Sequence, residues 1–230
     1  SPAQLSLLLV DFKGGAAFAG LAGLPHVCGF ITNLANEPGA VDRVQAALEG
    51  EVTRRQRLLA EAGFSSVHAW AESQAAQPQA AGQASPPSLV IVIDEFAELL
   101  AERPEFLQTL ITIGRLGRSL GLHLVLSSQR LDEGRLRGLE AHLAFRIALR
   151  TFSEAESHQV LGCPDAALLP RTPGVGILRP GPGQLVRFRS GYVSGPCPYP
   201  RPDQAREPLR LRLPGWREPE PETPSVTSGL

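Results

Sequence analysis

Residues 89–93 are apolar without a break and stop abruptly at Asp94-Glu95. Residues 5–10, apolar apart from Ser6, stop in the same way at Asp11. A strand with one wet face alternates polar and apolar side chains, whereas one covered on both faces is apolar almost throughout, as in parallel sheets flanked by helices. Shorter apolar runs at 26–31, 122–127 and 143–149 add three more strands. Helical spacing fills the gaps between them. Val41, Val44, Leu48, Val52 and Leu59 share one face of a helix expected from Pro38 to about Glu61. Leu107, Leu110, Ile113, Gly117 and Leu120 share a face of a second, opened by Pro104 and stopped by Gly121. Residues 74–87, rich in Gln, Ala, Gly and Pro, read as a surface loop, and 176–178 with 185–188 as a closing hairpin. Alternating strands and helices mean an α/β fold with right-handed crossovers.

In such sheets ligands collect beyond the carboxyl ends of the strands. Asp11, Asp94-Glu95 and Ser127-Ser128-Gln129 all fall at such ends. An apolar strand ending in two acids has the form of a Walker B strand, with Asp94 facing Mg²⁺ and Glu95 the attacking water. The bland reading is a buried strand whose last residues cap the next helix. Ser128 and Gln129, one strand–helix–strand unit later, sit where a side chain would sense the γ-phosphate of ATP. Yet no GxxxxGK[ST] phosphate loop occurs in the 230 residues. That loop holds the phosphates the metal bridges, so half of a nucleotide site is present.

The basic residues are one lysine, Lys13, and 21 arginines among 22 Lys and Arg. A net charge of −1 predicts no general affinity for nucleic acid. Most arginines are expected on solvated faces with weak ion pairs. Arg43 and Arg118 are the two singled out as arginines that reach a neighbour's phosphate. Arg54 lies three turns beyond Arg43 on its face, and Arg115 three residues before Arg118. Lys13 is expected to pair locally with Asp11, and His26 and His123 to be hydrogen-bonded core histidines. Cys28, Cys163 and Cys197 are too scattered for a disulfide framework or zinc site, which suits a reducing, cytosolic setting. No apolar run approaches the length of a membrane helix, about 20 residues.

Taken in order, Asp11-Phe12-Lys13-Gly14-Gly15, Leu24-Pro25-His26, Ile93-Asp94-Glu95-Phe96, Gly117-Arg118-Ser119-Leu120-Gly121 and Ser128-Gln129-Arg130 resemble the FtsK/SpoIIIE-type RecA-like motors. Stretches 11–18, 113–143, 146–157 and 160–170 are similar to the branch that drives type VII (ESX) secretion. The resemblance implies a RecA-like P-loop NTPase core with a mainly parallel sheet, whose first strand, phosphate loop and following helix are missing. It spans residues 1–195 as a partial ATPase domain, leaving 196–230 as a Pro-rich linker or disordered tail. It further implies ATP and Mg²⁺ as cofactors, with Asp94, Ser128 and Gln129 binding nucleotide, Asp94 the metal, and Glu95, Arg43 and Arg118 catalytic. Expected partners are further ATPase modules or ring neighbours, membrane proteins of a secretion complex, and small helical secreted substrates. The expected location is cytoplasmic, at the inner face of the membrane through segments not in this sequence.

Two other functions fit the residues, a DNA translocase and a non-catalytic docking module with an ATPase fold, with DNA the weaker partner on charge. In the resemblance the missing strand lies centrally, beside the Walker B strand. Its loss predicts that the 230 residues alone are inactive and poorly stable, or completed by another polypeptide. The lack of any methionine is expected of a segment of something longer.

Overall fold

The computed structural model describes residues 1–13, 17–32, 39–76, 83–130, 136 and 138–192. In chain order these form β1 (Leu5–Asp11), β2 (Val27–Ile31), α1 (Ala40–Ala62), α2 (Val67–Ala76), β3 (Ser88–Asp94), α3 (Phe96–Glu102), α4 (Phe106–Leu120), β4 (Leu122–Leu126), β5 (Arg146–Leu149), α5 (Glu154–Leu161), β6 (Val175–Gly181) and β7 (Gln184–Arg189). All belong to one unit, Ser1–Gly191. The expected boundary at 195/196 lies outside the described residues.

The fold is α/β. β2-β1-β3-β4 form a parallel sheet, and β5-β6-β7 a separate antiparallel one. β3 is the keel of the first: Ile91 and Ile93 are fully buried among Leu99, Leu110 and Ile113. α1 adds Val41, Val44, Leu48, Val52 and Leu59 to this core, the face its spacing predicts. A smaller core of Ala148, Leu161, Ala166, Leu169 and Ile177 lies under the antiparallel sheet.

β3 is paired along its length with β1 on one side and β4 on the other. The expected gap beside the Walker B strand is therefore absent. The open edge of the parallel sheet near the site is that of β4, where Val125 is 49% exposed. His123, on the same strand, is exposed rather than a core histidine, and His26 is half-buried.

Other departures are local. α1 begins at Ala40 behind Gly39, which takes φ 76°, and Pro38 lies outside the described residues. α2 takes up the first residues of the expected loop, through Ala76, and α3 and α5 are helices the spacing did not announce. β5 begins at Arg146, three residues late, and the hairpin turns at Gly183. Gly117 is required where α4 meets β4: a Cβ there would stand 2.4 Å from the carbonyl oxygen of Leu122.

Arg55 occupies the core stripe of α1 between Val52 and Leu59 and is 2% exposed. Its guanidinium donates to the carbonyls of Leu120 (2.8 Å), Gly121 (3.2 Å) and Pro87 (2.8 Å), and to Glu51 (2.6 Å). It thus caps the carboxyl end of α4 and ties α1 to the amino ends of β3 and β4.

Candidate functional site

The parallel register sets Asp11 directly beside Asp94, so two carboxylates end adjacent strands on one rung. Glu95 follows at the turn into α3, and Ser127 to Gln129 leave the next strand, β4, alongside it. Two backbone bonds fix this corner: Ser127 N–H to Ile93 O (3.0 Å) and Phe96 N–H to Ser127 O (3.1 Å). The strand ends are thus locked before any side chain is considered.

Asp94 accepts a short hydrogen bond from the hydroxyl of Ser127. Glu95 is buried, 6% exposed, and is the one non-glycine residue with positive φ among the described residues (φ 55°). Left-handed backbone costs a side chain such as glutamate on the order of 1–3 kcal/mol and persists where surroundings over-determine it. Here they do: Gln129 Nε2 donates to Glu95 Oε1 at 2.5 Å, and Gln129 N–H approaches Oε2 at 3.4 Å. The strained backbone turns the second acid of the pair toward β4 rather than into solvent.

Lys13 does not pair with Asp11 through its side chain. Its backbone N–H donates to Asp11 Oδ1 (3.1 Å), while its ammonium meets Glu98 on α3 at 2.5 Å. That hydrogen bond, with the negative charges of Glu98 and Glu95, raises the Lys13 pKa above its ordinary value despite some desolvation. The lysine tethers the loop after β1 to α3.

Of the residues singled out in the sequence, Asp94, Glu95 and Gln129 come together. Ser128 is adjacent but its hydroxyl turns to the carbonyl of Arg130 (2.9 Å), and Ser127 is the serine that meets Asp94. Two serines in a row at a strand end cannot be told apart by spacing; only the pleat decides which faces the neighbouring strand. Arg43 lies near the start of α1, beside Asp42, which pairs with Arg103 just after α3 (3.0 Å), and so at the acidic end of the sheet. Arg118 lies at the opposite end, in the last turn of α4 before β4 begins.

The donors at the acidic end are hard oxygens: the Asp94 carboxylate, the Ser127 hydroxyl, and Asp11 on the next strand. Among the described residues no cluster of three or more His, Cys, Asp or Glu could hold a metal alone. That set fits Mg²⁺, which takes one or two carboxylates and completes its shell with water and phosphate oxygens. It does not fit zinc, which needs imidazole or thiolate.

Comparison with known proteins follows the same line. The FtsK/SpoIIIE family matches residues 1–133. The chain is 57% identical over 197 residues to the ESX-4 secretion system protein EccC4 of Mycobacterium tuberculosis, covering 85% of this chain and 16% of that protein. The cytoplasmic domain of the type VII secretion ATPase EccC from Thermomonospora curvata superposes with a TM-score of 0.80 at 52% identity, covering 85% of this chain and 22% of that one. A structure of ATPases 2 and 3 of the same EccC, in complex with a signal sequence peptide, gives 0.67 at 24% identity, covering 83% and 32%, and shares the fold. The chain spans between about a seventh and about a quarter of the length of the curated relatives it matches, 16% of EccC4 and 27% of EccCa1 of Mycobacterium tuberculosis.

Proposed function

Because the chain belongs to the FtsK/SpoIIIE family, we propose that it is the Walker B and sensor half of an ATPase module in a type VII (ESX) secretion motor. The observation that carries this is the joining of Asp94, Glu95 and Gln129 at the carboxyl ends of β3 and β4. Mg-ATP, when bound, supplies the γ-phosphoryl group that passes to water. Asp94, with the Ser127 hydroxyl behind it, holds the metal. Glu95 aligns the water, and Gln129, which already grips Glu95, lies where it can report on the phosphate; Ser128 flanks it. Arg43, at the same end, is one of the two arginines offered to a neighbour's phosphate. Arg118, at the far end, serves only a neighbour's site.

The phosphate loop comes from polypeptide outside these 230 residues, and its strand pairs along the open edge of β4. That edge is exposed, and it ends at Ser127 to Gln129. The module is the first of its series: identity is 52% to the EccC cytoplasmic domain but 24% to ATPases 2 and 3 of the same protein. Its partners are those further modules or ring neighbours and the membrane proteins of the secretion complex. Its cargo is small helical substrates, the class the family resemblance implies; a signal sequence peptide is bound in the structure of ATPases 2 and 3 of the related EccC. It works in the cytoplasm against the membrane.

The test is Glu95→Gln in the secretion protein that carries this chain. The expected result is loss of secretion with the complex still assembled and ATP still bound. Unchanged secretion would overturn the motor reading in favour of a docking module.

A further inference from the structure

A second site lies at the other end of the parallel sheet. A cavity of about 680 Å³ opens there between α2, α4 and the start of β4, within the range of small-ligand sites. His68 of α2, Arg115 and Arg118 of α4, and His123 of β4 line it; among the described residues no Asp or Glu does, though His68 lies 3.1 Å from the Glu72 carboxylate. Arg115 and Arg118 are one helical turn apart, exposed, and have no ion-pair or hydrogen-bond partner among the described residues. Other arginines, Arg57 and Arg130 among them, are likewise without such a side-chain partner among the described residues; Arg115 and Arg118 differ in lining one cavity together. Like charges one turn apart repel each other, and an anion between them removes the repulsion. Guanidinium groups match phosphate and carboxylate oxygens in geometry as well as charge.

We propose that this cavity binds a compact oxyanion, a phosphate or carboxylate group, through Arg115 and Arg118. The site is separate from the acidic end and needs none of Asp94, Glu95 or Gln129, but its oxyanion would compete with a neighbour's phosphate for Arg118. Its ligand is either a phosphate-bearing small molecule or the carboxylate of a docked polypeptide.

The test is a pair of NMR titrations of the 230-residue chain, with inorganic phosphate and with acetate, against chloride at equal ionic strength. Saturable shifts at Arg115, Arg118, His68 and His123 are expected. In Arg115→Gln/Arg118→Gln the affinity should fall by about tenfold or more, with the rest of the amide spectrum unchanged. Saturation by phosphate alone supports the site with a phosphate-bearing ligand; saturation by acetate supports it with a polypeptide carboxylate. Linear shifts with both anions, or shifts that persist in the double variant, overturn it.

Discussion

Gln129 and Glu95, 34 residues apart, are joined by the side-chain amide of one and the carboxylate of the other at 2.5 Å. The bond links the end of β4 to the turn after β3 and holds a buried acid in a left-handed backbone. A structural capping acid would point at the N–H groups of its own helix. Glu95 makes no side-chain cap to α3 and reaches across to the neighbouring strand instead.

Gln129→Leu removes the donor and leaves the buried carboxylate short of a partner. The expected loss is about 1–3 kcal/mol in urea unfolding. A loss within error would mean that Glu95 is held by its backbone alone.

Arg55→Leu should be the most damaging single arginine change, costing about 3 kcal/mol or more, because three carbonyls and Glu51 lose a buried partner together. Arg54→Ala, whose exposed side chain pairs with the same Glu51, should cost under about 1 kcal/mol. Thermal unfolding of the two variants side by side measures the contrast, and equal losses would deny Arg55 its tying role.

Two glycines in helices should respond with opposite sign. Gly117→Ala drives a methyl into the Leu122 carbonyl and should destabilise by about 1–3 kcal/mol. Gly50→Ala, in open space in the middle of α1, should stabilise by about 0.5–1 kcal/mol. Chemical denaturation of both variants reads the signs directly.

Acid should weaken the α1 region through Glu51. Burial pushes its pKa up, but hydrogen bonds from Arg54 and Arg55 outweigh that and hold it below the ordinary 4.5. A carboxylate depressed in the folded state contributes stability that is full above its unfolded pKa and is lost as pH falls through the folded value. Stability should therefore drop below about pH 4.5, and Glu51→Gln should flatten that limb. An acid limb identical in the variant would assign the loss to other groups.

Much of this was legible in the chain. The runs ending at Asp11 and Asp94 declared buried parallel strands, because nothing but cover on both faces permits such apolarity. The stripes of α1 and α4 declared their inward faces. Arg55 was not legible: a charge between Val52 and Leu59 reads as a break in the stripe until three distant carbonyls are seen to converge on it. His123 misled in the other direction, since a histidine flanked by Leu122 and Leu124 reads as core when β4 is assumed to be covered. The neighbours of β3 were also beyond sequence, because strand order depends on which helix crosses which face. At the site, residue types and spacing picked out Asp94, Glu95 and Gln129, which the fold brings together, while that Ser127 and not Ser128 meets Asp94 waited on the pleat.

The most direct test of the half-site account is Mg-ATP hydrolysis by the 230 residues alone. On the proposed reading Asp94, Glu95 and Gln129 would supply metal, water and sensor contacts, and the sequence has no GxxxxGK[ST] loop to cradle the phosphates, so no turnover above background is predicted. Turnover that disappears in Asp94→Ala would contradict the account, showing that these residues hold a complete site.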